Sequence, residues 1–308
     1  MPARTSWLRF DLVSASTRRK YDAAIINFMR FLSYMGWVVS ERDPLAADLI
    51  YEHYIQFLFE NGQPKAWSET FLSAAAERWP ALRGMRAIPR AWRAVLAWRK
   101  KEPPKRATPF PLRVVLFLIG NFLGRANLRL AAAVAVCFGG YLRPGELLGL
   151  RRANVRFSGY SRAILTLEFT KSGQRRLMTE YVSIDDPLAV FLLASWLDRC
   201  PLDPGAVVFD MPYSDLRARL RACLAAYDLQ FFGFRLYSLR RGGATYDFEC
   251  HGSFDRSVIK GRWQNIATAR IYIADARAGL AALQIPALPD YGLLLKELIH
   301  PYESSWLV

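Results

Sequence analysis

Histidine is nearly absent from these 308 residues: His53, His251 and His300 are too scattered to suggest a metal cage. The four cysteines (Cys137, Cys200, Cys223, Cys250) form no C-x-x-C pair, so neither a zinc site nor a disulfide framework is indicated. They read as reduced, small, buried side chains of an intracellular protein. Long apolar runs are also missing. The longest, Leu130 to Leu142, has 13 residues, against roughly 20 for a membrane-spanning helix. The first residues carry Arg9 and Asp11 and no apolar stretch, so no secretory signal is expected. There is no internal repeat and no low-complexity tract. Acid is in deficit: 27 Asp and Glu stand against 42 Lys and Arg, a net charge of +15. That balance suits a polyanion, either nucleic acid or an anionic membrane surface, and no amphipathic helix stands out for the second. With 52% hydrophobic and 22% charged residues, the chain can bury real cores.

The first hundred residues read as helices. Tyr21, Ile25, Phe28 and Leu32 form one apolar stripe, with Ser16 or Thr17 as N-cap. Further helical stretches are expected over 46–61, 68–75 and 81–99, punctuated by Gly62, Pro64 and Pro80. Between Arg90 and Arg106 lie seven basic residues against one acid, Glu102, interrupted by Pro103 and Pro104. This reads as an exposed basic linker. Arg99, Lys100, Lys101, Lys105 and Arg106 are its candidate phosphate contacts, with a solvated charged face as the alternative. The linker divides the chain into 1–105 and 106–308, with net charges of +7 and +8.

The second part is mixed. Helices are expected over 112–123, 128–138 and 144–151, with Gly139-Gly140 stopping the second and Pro144 opening the third. A strand over 164–169, turn residues Lys171-Ser172-Gly173-Gln174 and a return strand over 177–184 make a hairpin with Lys171 near its tip. Helices follow to the end. The expected fold class is α+β: mainly helical, with one small hairpin or sheet.

Four pieces of the second part stand out in order. They are Tyr141-Leu142-Arg143-Pro144-Gly145-Glu146-Leu147, then Thr170-Lys171-Ser172-Gly173, then Tyr237-Ser238-Leu239-Arg240-Arg241-Gly242-Gly243, then Gly261-Arg262-Trp263 with Tyr272 nine positions past the tryptophan. Together they resemble the tyrosine recombinase (phage integrase) family. That family has an Arg in a Leu-Arg-x-x-Glu-Leu motif, a hairpin Lys, a His-x-x-Arg motif, and a Gly-His or Gly-Trp nine residues before a Tyr. The resemblance covers about 107–280. The first hundred residues are similar in kind to the family's helical core-binding domain, without a diagnostic motif.

The resemblance implies a DNA strand cut and rejoined through a 3′-phosphotyrosine, with no metal or other cofactor. Attack on a phosphodiester adds negative charge to two non-bridging oxygens, and fixed guanidinium forks, here Arg143 and Arg240, stabilise it. A free phenol titrates near 10, so Tyr272, the implied nucleophile, needs nearby positive charge to ionise. Lys171 is the implied acid for the departing 5′-oxygen. Trp263 has one indole N–H for a phosphate oxygen and a ring to pack on the helix bearing Tyr272. Glu146, three residues past Arg143, orients that arginine or caps the helix. His251 reads as a loop residue.

Tyr237 stands where the family usually has His, which exchanges protons near neutral pH as a phenol does not. Two other readings therefore stay open: a catalytically decayed DNA-binding protein on the same fold, and a type IB topoisomerase. The expected partner is double-stranded DNA, held by a C-shaped clamp and by a homo-oligomer, a tetramer in the family. The expected location is intracellular and DNA-associated, the nucleus in a eukaryote and the cytoplasm or nucleoid in a bacterium, and a mobile element is one setting. The apolar tail set Leu280, Leu283, Ile285, Leu293, Leu294, Leu295, Leu298 and Ile299 packs either on a neighbouring protomer or on its own domain.

Overall fold

The computed structural model describes residues 13–103, 106–159, 161–168, 179–273 and 275–303. The chain divides into two compact units, Met1–Lys105 and Arg106–Val308. The architecture is mainly helical with one small antiparallel sheet, an α+β fold.

In the first unit α1 (Ala15–Met35), α2 (Pro44–Glu60), α3 (Lys65–Arg78) and α4 (Pro89–Lys101) pack around aromatic rings. Ser14, rather than Ser16 or Thr17, caps α1, its hydroxyl accepting from the Thr17 N–H. The helix stops at Gly36 in the left-handed region, and the Trp37 N–H closes back on the Leu32 carbonyl at 2.9 Å. Of the apolar stripe, Phe28 and Leu32 are fully buried. The Phe28 ring centroid lies 4.5 Å from that of Phe71 and 5.1 Å from that of Tyr54.

The helix expected over 81–99 is broken. A short turn covers Pro80–Leu82, and α4 starts only at Pro89. Ile88 at its N-cap has no side-chain oxygen to offer. Asp48, 3% exposed on α2, does so instead, accepting from the Arg90 and Ala91 N–H groups at 3.0 Å each. Asp48→Ala is therefore expected to destabilise this unit by about 2 kcal/mol, the cost of two buried orphan donors and a lost cap. Chemical denaturation followed by tryptophan fluorescence measures it, and an unchanged midpoint would show that α4 needs no such cap.

In the second unit α5 (Leu112–Gly124) and α6 (Leu128–Gly139) form the centre of a large apolar core. Then come α7 (Pro144–Leu148) and the strands β1 (Val155–Ser158), β2 (Arg162–Leu167) and β3 (Glu180–Ile184), antiparallel in the order β1-β2-β3. Leu167 pairs with Glu180 at the base of the β2–β3 hairpin. The stretch 169–178, with the Thr170–Gly173 turn and Lys171, lies outside the described residues. Helices α8 (Pro187–Arg199), α9 (Tyr213–Ala225), α10 (Tyr237–His251), α11 (Phe254–Gly261), α12 (Ile266–Tyr272), α13 (Asp275–Gln284) and α14 (Gly292–Glu303) complete the unit.

Several expectations change in detail. Helix α7 stops at Leu148, not Arg151, because Arg151 leaves to bridge Val207. Strand β1 was not anticipated, and β3 begins at Glu180 rather than at 177. His251 is the last residue of α10, not a loop residue, and Cys250 is exposed. The tail set is divided: Ile285 and Leu295 join the unit's own core, whereas Leu283 and Leu293 are 86% and 71% exposed. The Ile299 side chain lies outside the described residues. No helix among the described residues is long and apolar enough to cross a membrane.

Candidate active site

The second unit brings together residues from four separate stretches of chain. Arg143 is the N-cap of α7 and forms a reciprocal capping pair with Glu146. The Arg143 backbone N–H donates to Glu146 Oε2 at 2.8 Å, and its Nη1 donates to Oε1. Glu146 thus both caps the helix and orients the guanidinium.

Arg240 lies on the first turns of α10 and is fully buried. Two glycines set its depth. A Cβ on Gly242 would fall 2.4 Å from the Phe110 carbonyl oxygen, and one on Gly243 would fall 2.1 Å from that of Phe138. Only bare backbone lets α10 press this closely against Phe110 and the end of α6. From there Arg240 Nη1 donates to the Tyr141 carbonyl, and Nη2 to the Gly261 carbonyl at 2.6 Å. Its Nη1 is 4.0 Å from Glu146 Oε2.

The Gly261-Arg262-Trp263 turn ends α11. The Trp263 ring folds back over Gly261, where a Cβ would come within 2.5 Å of the indole. That ring stacks on the Tyr272 ring at 4.7 Å and 25° between planes. The Arg240 guanidinium sits 5.3 Å from the Trp263 ring and 5.4 Å from the Tyr272 ring, within cation–π range. The Tyr237 and Tyr272 hydroxyls lie 2.9 Å apart.

Electrostatics follow from burial. Burial pushes the Tyr237 hydroxyl up to about 12, and the hydrogen bond with Tyr272 acts in the same direction. Burial lowers Arg240 to about 10, with the Arg143 and Arg262 charges adding to it, so it stays charged at neutral pH. For Arg143, burial acts downward, but Glu146 outweighs it and the net shift is upward. Four donors, Arg240 Nε, Arg262 Nε and Nη1, and Trp263 Nε1, are buried with no hydrogen-bond partner among the described residues; Arg262 Nε meets Glu180 as an ion pair.

The structure therefore gathers Arg143, Tyr237, Arg240, Trp263 and Tyr272. Lys171 lies outside the described residues. Two further residues, Arg262 and Glu180, join the cluster without a role assigned from sequence. Arg262 donates through Nη2 to Glu146 Oε2 at 2.7 Å, and its Nε is 3.2 Å from Glu180 Oε2. Their only sequence signal is a charge inside a Gly-x-Trp turn and an acid at the start of a strand. Of the candidate DNA contacts, Arg99, Lys100 and Lys101 occupy the exposed last turn of α4, and Arg106 is exposed at the start of the second unit. Arg99 donates to Glu69 at 2.8 Å, and Lys101 lies 5.0 Å from the Phe59 ring. Lys105 lies outside the described residues.

No protein-family model and no curated protein matches the chain. Solved structures do. The Tn1549 transposon integrase in complex with a circular intermediate DNA is 14% identical over 88% of this chain and 95% of its own, with a TM-score of 0.59. The same integrase in complex with transposon right end DNA is 13% identical over 90% and 96%, at 0.58. A lambda integrase dimer bound to a COC′ core site is 15% identical over 87% and 92%, also at 0.58.

Proposed function

We propose that this chain, which has the fold of the tyrosine recombinases, is a site-specific DNA recombinase that cuts and rejoins strands through a 3′-phosphotyrosine at Tyr272. The observation that carries this reading is the convergence of Arg143, Arg240, Trp263 and Tyr272, drawn from 130 positions of sequence, around one buried cluster of donors. Such a cluster suits a phosphate whose charge grows during attack. The Tyr272 phenol gives up its proton to water, its oxygen attacks phosphorus in line, and the bond to the 5′-oxygen breaks. Arg143 and Arg240 take the non-bridging oxygens, with the Trp263 indole N–H beside them. Lys171 protonates the leaving 5′-oxygen. Tyr237 keeps its own proton and donates a hydrogen bond to the Tyr272 oxygen while that oxygen carries the phenolate charge. Rejoining reverses these steps, so neither ATP nor a metal is required.

The first unit and the basic stretch Arg99, Lys100, Lys101, Lys105 and Arg106 are assigned to duplex binding, chiefly through phosphates. The exposed leucines of α13 and α14 are assigned to a neighbouring protomer in a homo-oligomer on DNA.

The test is a nicked suicide duplex of randomised sequence, incubated with the full chain and resolved under denaturing conditions. A denaturant-resistant protein–DNA adduct is expected, with binding that weakens steeply as salt rises. Salt-sensitive binding without adduct would sink the enzyme reading and leave a DNA-binding protein. Relaxation of supercoils by monomers, with no joining of two sites, would place the chain with the topoisomerases.

A further inference from the structure

Arg262 is held against the preference of its own backbone. It closes α11 at φ +55°, in the left-handed region that glycine occupies readily and an arginine seldom does. Its side chain is only 6% exposed, and both acids it meets are buried, Glu146 at 5% and Glu180 at 10%. Burying an arginine in such a position demands a compensating role. The ligation is specific. Glu146 gives Oε1 to Arg143 and Oε2 to Arg262, so one carboxylate is shared by two guanidiniums. Glu180 is the first residue of β3, paired with Leu167 at the base of the hairpin. Trp263, next in sequence to Arg262, stacks on Tyr272.

We propose that Arg262 is a positioning residue that clamps Glu146 and Glu180, tying the hairpin base and the Arg143 helix to the segment that carries Trp263 and Tyr272. Through Glu146 it fixes the direction of the Arg143 guanidinium. Through Glu180 it sets the hairpin against the nucleophile's side of the pocket. It also fixes the charge. Arg143, Arg240 and Arg262 against Glu146 and Glu180 leave the cluster one charge positive, ready for an anion. Without Arg262 the same cluster is neutral, and Glu146 is free to bind Arg143 with both oxygens and turn it from the phosphate. The role in turnover rests on the recombinase reading; the clamp and its charge do not.

The test uses the full chain with Arg262→Gly, Arg262→Lys, Glu180→Gln and the pair Glu180→Gln with Arg262→Gly. Single-turnover adduct formation, duplex affinity, folded fraction by circular dichroism and binding of inorganic vanadate are measured at temperatures where each variant is folded. Arg262→Gly is expected to slow adduct formation at least about tenfold, with duplex affinity within about threefold, as misplaced rather than missing machinery would. Arg262→Lys should recover part of the rate, because it restores the charge without the fork. Glu180→Gln should slow the reaction, and the double variant should be no slower than Arg262→Gly alone, because both act through one contact. A folded Arg262→Gly at the wild-type rate, a Lys variant no better than Gly, or additive losses would each overturn the clamp. If the wild type forms no adduct, the recombinase reading fails separately. Vanadate then decides: about tenfold weaker binding by Arg262→Gly or Arg262→Lys supports the clamp, and unchanged binding in both overturns it.

Discussion

Tyr272→Phe is expected to abolish the covalent adduct, lowering its rate by at least about a thousandfold, while duplex affinity stays within about threefold. The substitution removes one oxygen. The ring that stacks on Trp263 at 4.7 Å and lies under Arg240 remains, so packing and the arginine cluster should persist. Duplex affinity should hold because it comes mainly from phosphate contacts elsewhere. The neighbouring phenol makes this a sharp test. Tyr237 lies 2.9 Å from Tyr272 by hydroxyl, and an adduct that survives on a Tyr237 peptide would transfer the nucleophile role. We expect none, because burial, the larger cause of the upward shift that takes the Tyr237 hydroxyl to about 12 in the wild type, still holds its proton when the Tyr272 hydroxyl is gone. For the same reason Tyr237 should contribute no titration between pH 6 and 9. Tyr237→His would add a group that titrates near 6.5. Its hydrogen-bond donor is most available below that pH, so the variant's rate should fall as pH rises through neutrality while the wild type shows no such limb. Pre-steady-state rates across pH measure this; identical profiles would mean that residue 237 does not bear on the reacting oxygen.

The parts of this site that local chemistry controls were legible before any coordinates. The Arg143 cap follows from Pro144 at the first helical position and Glu146 three residues on, and both occur as read. The bounds of α5 and α6 follow from apolar periodicity and from Gly139-Gly140. The spacing of Trp263 and Tyr272 matches a stacked pair one helix apart. What sequence could not provide is whatever depends on contacts across the fold. The start of α4 depends on Asp48, 42 positions upstream of Arg90. The end of α7 depends on the bridge from Arg151 to Val207. Glu146 reads as an i,i+3 partner of Arg143, yet its second oxygen is shared between the Arg143 N–H and Arg262, 116 positions away. Arg262 itself reads as one of many surface arginines until its backbone angle and burial are seen.

Arg240→Lys is expected to lower adduct formation by about a hundredfold to ten-thousandfold, because in the proposed reaction Arg240 combines a structural and a chemical task that lysine cannot share. Its fork joins the Tyr141 carbonyl, beside the Arg143 motif, to the Gly261 carbonyl, 120 positions away, through two nitrogens of one rigid plane. An ammonium is a point donor at the end of a flexible stem, so it can satisfy one carbonyl and leave the other orphaned beside a fully buried side chain. The same plane lies within cation–π range of both Trp263 and Tyr272, so losing it should loosen the proposed nucleophile as well as the proposed phosphate donors. Stability should fall too, by about 3 kcal/mol, since Arg240 is fully buried and its removal disturbs the charge pairing of Glu146. The two losses separate experimentally. Rates are measured well below the variant's melting temperature, with the folded fraction known from circular dichroism. A folded Arg240→Lys protein reacting within about threefold of wild type would show that the fork only holds the fold, and the phosphate would then have to be met by Arg143 and Arg262 alone.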